Sequence, residues 1–432
     1  MAYDNVIIFG AGASVDAGIP LLNNFVDTMW GYAIRGRSPN CALSPEDRKL
    51  LEQADVIRVG LERYNCRANF NMRNLEDVLS LLSFESLAGG EALEKYQTWV
   101  RAITRIVELS TSHSYSQAIR ENLNYKRTSY HEFWNSLLGQ NSSSNPPGLI
   151  TFNYDLVLER TLWDFFHYLP NNDNSGKPSR ASCKINYCLK PYNFTIKTQL
   201  SEYILKAGPP RQQINVRHNG FKPVIEYNNS KAEIEIPYLK LHGSLNWCSR
   251  TMPKQDEQVS DELRPANLPI EAAETPLILP PVFNKMNSGN VNPVWQKSLE
   301  ILREAKHIIL VGYSLPKTDI YMQYFLKAAV GPNSSLQKII VFDPTLFRAD
   351  AANEEMRKRY RECFSPQFQE QITFEPRVPP MFDENQKGKF QHFITTVPFK
   401  TPVNIDDYRH RVMGDRVGVE PAPVKWAFSR RA

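Results

Sequence analysis

Five apolar runs punctuate the chain, and each stops abruptly at a small or polar residue. Val6 to Phe9 stops at Gly10, and the run in GLITFNYD stops at Asn153. YLKL stops at His242-Gly243, HIILV at Gly312, and the run in LQKIIVF at Asp343. Unbroken runs of this length, rich in β-branched residues, predict strands buried on both faces, as in a parallel sheet. Between them the period changes. In LEDVLSLLSFESLAG (75–89) the apolar residues Leu75, Val78, Leu79, Leu82 and Leu87 fall close to helical spacing. EALEKYQTWVRAITRIVELS (91–110) and HEFWNSLLG continue that pattern.

The tract from 41 to 147 is too long for a single crossover and predicts a helical insertion. The turn-rich NSSSNPPG (141–148) leads back to the sheet. Residues 171–236 are rich in Asn, Pro, Lys and Ser and carry alternating runs such as AEIEIPYLKL, which predicts a strand- and loop-rich insertion. Beyond 345 come a charged helix (NEEMRKRYREC), a strand pair and a tail. The expected fold is therefore α/β, a Rossmann-like parallel sheet. Its discontinuous core spans 1–345 through the segments 1–40, 148–170 and 237–345, followed by a C-terminal extension, 346–432, that offers an assembly or partner surface.

Composition narrows the class. The 432 residues are 42% hydrophobic and 22% charged, as in soluble globular proteins of two or three units. No apolar run approaches the roughly 18 residues that a membrane span needs. The first apolar residues read as strand one rather than as a secretion signal, so a cytoplasmic location is expected. The net charge of +5 is too mild to argue for nucleic acid. The basic helix Arg357–Arg361 and the SRRA tail read as solvated faces, leaving nucleic acid at most an indirect partner. Of six cysteines only Cys183 and Cys188 are close, and without a second pair they predict reduced thiols and no metal.

Ligands of open parallel sheets sit beyond the carboxyl ends of the strands. Five strands ending in Gly10, Asn153, His242, Gly312 and Asp343 thus predict one crevice. The first motif, GAGASVDAGIP, reads as a strand feeding a helix through a glycine turn, which aims backbone N–H groups at a diphosphate. A tight turn packed on a neighbouring strand is the competing reading. The motif is not the ordinary dinucleotide fingerprint: Val15 occupies the third glycine position, Gly18 comes later, and Asp27 falls on the following helix. Gly10 to Ser14 (Ala11, Gly12 and Ala13 included) would hold a diphosphate. Gly312, Tyr313 and Ser314 would give a second close backbone approach, and Asp343 would accept from a ribose diol. Asn153 and His242 would complete the reactive end. Asp319 reads as a helix N-cap and Tyr154 as a packing residue.

Taken in order, GAGASVDAGIP, TFNYD, KLHGSLNW and VGYSLPKTD resemble sirtuin-like domains, in particular the divergent bacterial branch that hydrolyses NAD in antiphage defence. The resemblance implies NAD as substrate, with Ala11, Gly12 and Ser14 at the diphosphate and Asn153 and Asp155 around the nicotinamide ribose. It also implies His242 as the base, Gly312 and Ser314 along the adenosine half, and Asp343 at the adenine ribose. Deacylating members carry Asp-Phe-Arg after the first motif, two zinc-binding cysteine pairs, and a Gln-Asn pair. Here the chain reads Leu21-Leu22-Asn23-Asn24-Phe25, has only Cys248 in the zinc interval, and carries Phe152-Asn153. These departures favour hydrolysis to nicotinamide and ADP-ribose, by an NAD glycohydrolase needing no metal, over protein deacylation or non-catalytic NAD sensing. The layout further resembles NADase subunits paired with a HerA-type ATPase, and control by homo-oligomerisation is expected.

Overall fold

The structure is a computed structural model. It describes residues 3–111, 128–138, 146–167, 182–189, 192–207, 214–227, 231–252, 260–265, 268–273, 276–279, 291–317, 319–343, 346 and 351–375. The strands are β1 (Asn5–Phe9), β2 (Gly148–Thr151), β3 (Ser182–Asn186), β4 (Phe194–Ala207), β5 (Ile214–Tyr227), β6 (Ile234–Lys240), β7 (Gly243–Met252), β8 (Ser260–Pro265), β9 (Pro276–Ile278), β10 (His307–Val311), β11 (Lys338–Phe342) and β12 (Ile372–Glu375). Nine of them form one sheet in the order β12-β11-β10-β1-β2-β6-β3-β4-β5. The seven from β12 to β3 are parallel, and β4 and β5 add an antiparallel hairpin at the far edge. All five apolar runs are strands of this sheet, which is an α/β, Rossmann-like arrangement.

From β1 the chain builds outward to β2 and β6 on one side, then returns to β10, β11 and β12 on the other. The order therefore reverses between β1 and β10. That reversal is where such sheets open a crevice at their carboxyl edge.

The helices are α1 (Phe25–Arg35), α2 (Pro45–Gly60), α3 (Leu75–Glu85), α4 (Gly90–Ser110), α5 (Ser129–Leu138), α6 (Val157–His167), α7 (Asn292–Glu304), α8 (Ile320–Val330) and α9 (Ala351–Glu362). Helices α1 to α4 bury one another's apolar stripes, with Leu75, Val78, Leu79 and Leu82 fully enclosed. Leu87 departs from the expected stripe: it lies past the end of α3, 84% exposed. Helix α5, read from sequence as part of the insertion, instead packs Tyr130, Phe133 and Trp134 into the core of the sheet. The strand-rich segment likewise joins the main sheet, because β3 pairs in parallel with β6. At the other edge the sheet runs past residue 345 to β12. Residues 347–350 and 376–432, including the tail of the expected extension, lie outside the described residues, as do 139–145, which take in the first part of the linker, and 168–181.

Three further strands, β8-β7-β9, form a small antiparallel sheet directly after His242. Among the described residues no helix is long and apolar enough to cross a membrane. Among the described residues, Cys41, Cys183, Cys188, Cys248 and Cys363 form no disulfide.

Candidate active site at the carboxyl edge of the sheet

Register brings the five strand ends level. Phe9 pairs with Val311 and Thr151, Val311 with Phe342, and Thr151 with Lys240. Gly10, Gly312 and Asp343 therefore emerge side by side, while Asn153 and His242 lie two residues beyond a paired Thr151 and Lys240. From β11 to β6 is four strand spacings, about 19 Å.

The first motif differs from its sequence reading in two respects: in its helix start, and in the N–H groups of Gly10, Gly12 and Ala13, which meet backbone carbonyls. Residues Ala11–Ala17 form a short 3-10 turn that ends at Gly18 in the left-handed region (φ 94°), and regular helix begins only at Phe25. What comes close to the backbone here is another backbone. Gly10 N–H donates to Val311 O and Gly12 N–H to Gly312 O, each at 2.9 Å, and Ala13 N–H returns to Gly10 O at 2.9 Å. A Cβ on Gly10 would stand 2.6 Å from Gly312 O, and one on Gly312 (φ 64°) would stand 2.5 Å from Gly12 C and press on Ala13 N. The competing reading, a turn packed on its neighbour, thus accounts for these two glycines. Gly12, Ala13 and Ser14 are buried, and Ala11 and Val15 are the exposed residues of the turn.

Asn153 ties the loop after β2 to this turn. Its Nδ2 donates to Gly10 O and to Ser14 Oγ, both at 3.0 Å. With both amide hydrogens committed, the remaining polar atom is Oδ1, which can act as an acceptor only. Ser14 Oγ also lies 3.3 Å from the hydroxyl of Tyr130. Next to it Asp16 accepts from Ser129 N–H at 2.9 Å and from Ser129 Oγ at 2.5 Å. The N-terminus of α5 is therefore the foundation of the turn. Burial, with the charge of Asp155 second, pushes the Tyr130 hydroxyl well above its ordinary range, so it remains a neutral phenol.

His242, 9% exposed, sits among rings. The Phe152 ring centroid is 5.5 Å from the imidazole and 4.8 Å from Tyr313, and Trp295 lies 6.4 Å away on α7. Its carbonyl accepts from Leu279 N–H at 2.8 Å, and Trp295 Nε1 donates to Leu241 O at 3.0 Å. Gly243 (φ 81°) follows with its α-carbon turned against Leu277 O. Phe152 thus places Asn153 on one side of its backbone and its own ring against the histidine.

Asp155 is buried, and its Oδ1 accepts Val157 N–H at 3.0 Å at the start of α6. This is a loop-fixing contact. Tyr154 packs against the helical cluster, and burial, then the charge of Asp155, holds its hydroxyl protonated far above the ordinary range. Asp319 caps α8 by accepting from Met322 N–H, and it also accepts from Tyr313 OH at 2.7 Å. Asp343 is 2% exposed. Burial chiefly, then the charge of Asp343, raises the Tyr360 hydroxyl well above its usual value.

Contacts with no sequence signal complete the site. Arg359 donates to Ser314 O at 3.0 Å and Leu315 O at 2.8 Å, and Tyr360 OH to Tyr313 O at 2.6 Å. The basic helix is therefore a buttress behind the 313–315 loop, where the sequence reading has a solvated face. Nothing near Tyr130 and Trp295 in sequence names Ser14 or His242 as their partners.

No family model matches the chain, and no curated protein matches it. Among solved structures it is similar to a Sir2 homologue–NAD complex, at 16% identity and TM-score 0.26, covering 83% of this chain and 88% of that one. Two mutant Sir2 homologues in complex with ADP-ribose are similar at 14% and 13% identity and TM-scores of 0.26 and 0.27, each covering 83% of this chain and 91% of the other. Superpositions at this level define neither family nor activity; the fold rests on the sheet order itself.

Proposed function

We propose that this chain is a sirtuin-like NAD glycohydrolase that binds NAD along the carboxyl edge of the sheet and releases nicotinamide and ADP-ribose. The observation that carries the reading is the convergence of Asn153, Ser14 and Gly10 at one end of the β1–β10 reversal, with His242 one ring away across Phe152. The edge from Asp343 to His242 is long enough for an extended, two-part ligand. Asp343 and the Gly312–Ser314 loop suit its adenosine half, the turn from Gly10 through Ala11, Gly12, Ala13 and Ser14 to Gly18 its diphosphate, and Asn153 with His242 its nicotinamide ribose.

The glycosidic bond breaks toward an oxocarbenium-like state, because nicotinamide leaves as a neutral amine. Such a state needs a fixed ribose, a shielded cation and a nucleophile on the open face. Asn153 Oδ1, as an acceptor, orients a ribose hydroxyl or the attacking water. His242, as the base, takes a proton from one of them. Phe152 and Trp295 keep bulk water from that ring, and Asp155 fixes the loop that bears Asn153.

The same reading makes the chain an NAD-depleting effector of antiphage defence, held in check by homo-oligomerisation or by a HerA-type ATPase. Light scattering on the purified chain would show a discrete oligomer; a clean monomer at micromolar concentration counts against that part. The activity is tested by incubating the chain with NAD, with and without a candidate partner, and following nicotinamide by chromatography. His242→Ala and Asn153→Ala, checked for folding, should each lose on the order of 10²–10⁴-fold. Equal turnover in wild type and both variants would end the mechanism. Calorimetric binding of NAD without product would replace it with a sensing module.

A further inference from the structure

A lysine with no exposed surface stands two residues before His242. Lys240, at the end of β6, is 0% exposed. Its Nζ donates to Asp155 O at 2.5 Å and to Glu159 Oε1 at 2.9 Å, while Glu159 accepts from Tyr187 OH at 2.8 Å. Enclosing an ammonium and a carboxylate together costs several kcal/mol of desolvation per ion, and an apolar pair of equal volume is often as stable. Burial pushes the Glu159 carboxyl up, and Lys240 opposes that shift. Stability alone therefore gives little reason for this pair.

Geometry gives another. The Asp155 carbonyl belongs to the loop that carries Asn153, and Lys240 belongs to the strand that carries His242. Thr151 and Lys240 are the last paired residues of β2 and β6. One further ladder bond, Leu241 N–H to Thr151 O at 2.9 Å, follows; past His242 the backbones meet once more, where Leu245 N–H donates to Tyr154 O at 2.9 Å. Between these backbone bonds the Nζ–Asp155 bond is a direct side-chain tie from the β6 end to the loop after β2. We infer that Lys240 is a positioning residue: its buried ammonium, bonded to Asp155 O, sets the distance between the Asn153 loop and the His242 strand. Misplacing a catalytic group by about 1 Å can cost on the order of 10²-fold in rate. This inference rests on the glycohydrolase reading for its effect on turnover, though not for its effect on the loop.

The test compares Lys240→Met/Glu159→Gln, which removes the tie without stranding a buried charge, with Glu159→Gln and Tyr187→Phe, which leave the Nζ–Asp155 bond in place. Nicotinamide release is read as kcat and KM separately, with melting temperature and amide hydrogen exchange of residues 152–156 on each variant. The double variant should lose about 10- to 100-fold in kcat with KM within about threefold, and its 152–156 amides should exchange faster. Glu159→Gln and Tyr187→Phe should melt lower but keep kcat within about threefold. A folded double variant with wild-type kcat overturns the proposal. So does a loss of kcat in Tyr187→Phe equal to that in the double variant, since the network would then act only through stability. Should the double variant not fold, the two single variants decide: a tenfold fall in kcat in either, at unchanged KM, overturns the assignment to Lys240–Asp155, and kcat kept in both supports it. A wild type that releases no nicotinamide fails the glycohydrolase reading instead, and exchange at 152–156 then judges the tie by itself.

Discussion

The carboxamide nitrogen of Asn153 lies 3.0 Å from the hydroxyl oxygen of Ser14, so the loop after β2 and the turn after β1 meet through side chains beyond the last ladder bond. The second amide hydrogen is taken by Gly10 O. An isosteric carboxylate could donate neither hydrogen; it could accept from the Ser14 hydroxyl but would set its charge against the Gly10 carbonyl. Asn153→Asp should therefore be as poor as Asn153→Ala, each losing about 10²-fold or more in nicotinamide release. Each lost neutral hydrogen bond should cost about 1 kcal/mol in urea melts. An active Asn153→Asp would show that the amide donors are dispensable.

Gly312 lies where two backbones cross. A methyl group there meets Gly12 C at 2.5 Å and also crowds Ala13 N, and the residue sits at φ 64°. Gly312→Ala should cost about 1–3 kcal/mol for overpacking, with a further penalty for left-handed backbone. Both fall on the turn that holds Ser14. Urea denaturation should show a clear drop in midpoint, and an unchanged midpoint would mean that the turns after β1 and β10 do not approach this tightly.

Acid should loosen the helical cluster in a definable way. Burial alone would raise the Asp47 carboxyl, but hydrogen bonds at 2.7 and 2.8 Å and the charge of Arg105, with Ser44, hold it below its ordinary 3.8. A depressed folded value gives stability that is present above the unfolded value and lost as pH falls through the folded one. The stability gap between wild type and Arg105→Met should thus be widest near neutrality and close as pH drops below about 4. Arg105 is 38% exposed, so added salt should narrow the gap as well. A gap that widens on acidification would contradict the assignment.

Much of this was legible in the chain because burial on both faces leaves an unmistakable apolar run. Val6–Phe9, His307–Val311 and the other runs became strands, and their polar terminators became the edge of the sheet. The Asp319 cap was equally legible, since its chemistry is local. Other features depended on contacts between distant segments. The 3-10 turn at Ala11–Ala17 reads as a helix start because small residues suit both, and the packing of Gly18 beside Ser110 O is set ninety residues away. Helix α5 carries an ordinary apolar stripe, and nothing in its sequence distinguishes a partner helix from the sheet. Lys240 and Arg359 look like surface charges. Only their positions show that one is sealed against Glu159 and the other turned inward.

Arg359 supplies the last prediction. Its guanidinium bonds two successive carbonyls, Ser314 O and Leu315 O, and Leu315 is held at φ 48°. A non-glycine residue persists in that region only where its surroundings over-determine it. Arg359→Met keeps the apolar stem but removes both donors, so the 313–315 loop should relax while the Asn153–His242 end, on strands across β1, stays as it is. The expected result is a rise in KM for NAD of about tenfold, worth roughly 1.4 kcal/mol of binding, with kcat within about twofold. Arg359→Lys, whose single ammonium cannot reproduce a two-pronged contact, should fall between Arg359→Met and wild type. Steady-state kinetics with a parallel melt separates the cases: lost kcat at constant KM would place the loop at the reacting end of the ligand, and a rise in KM alone keeps it at the adenosine half.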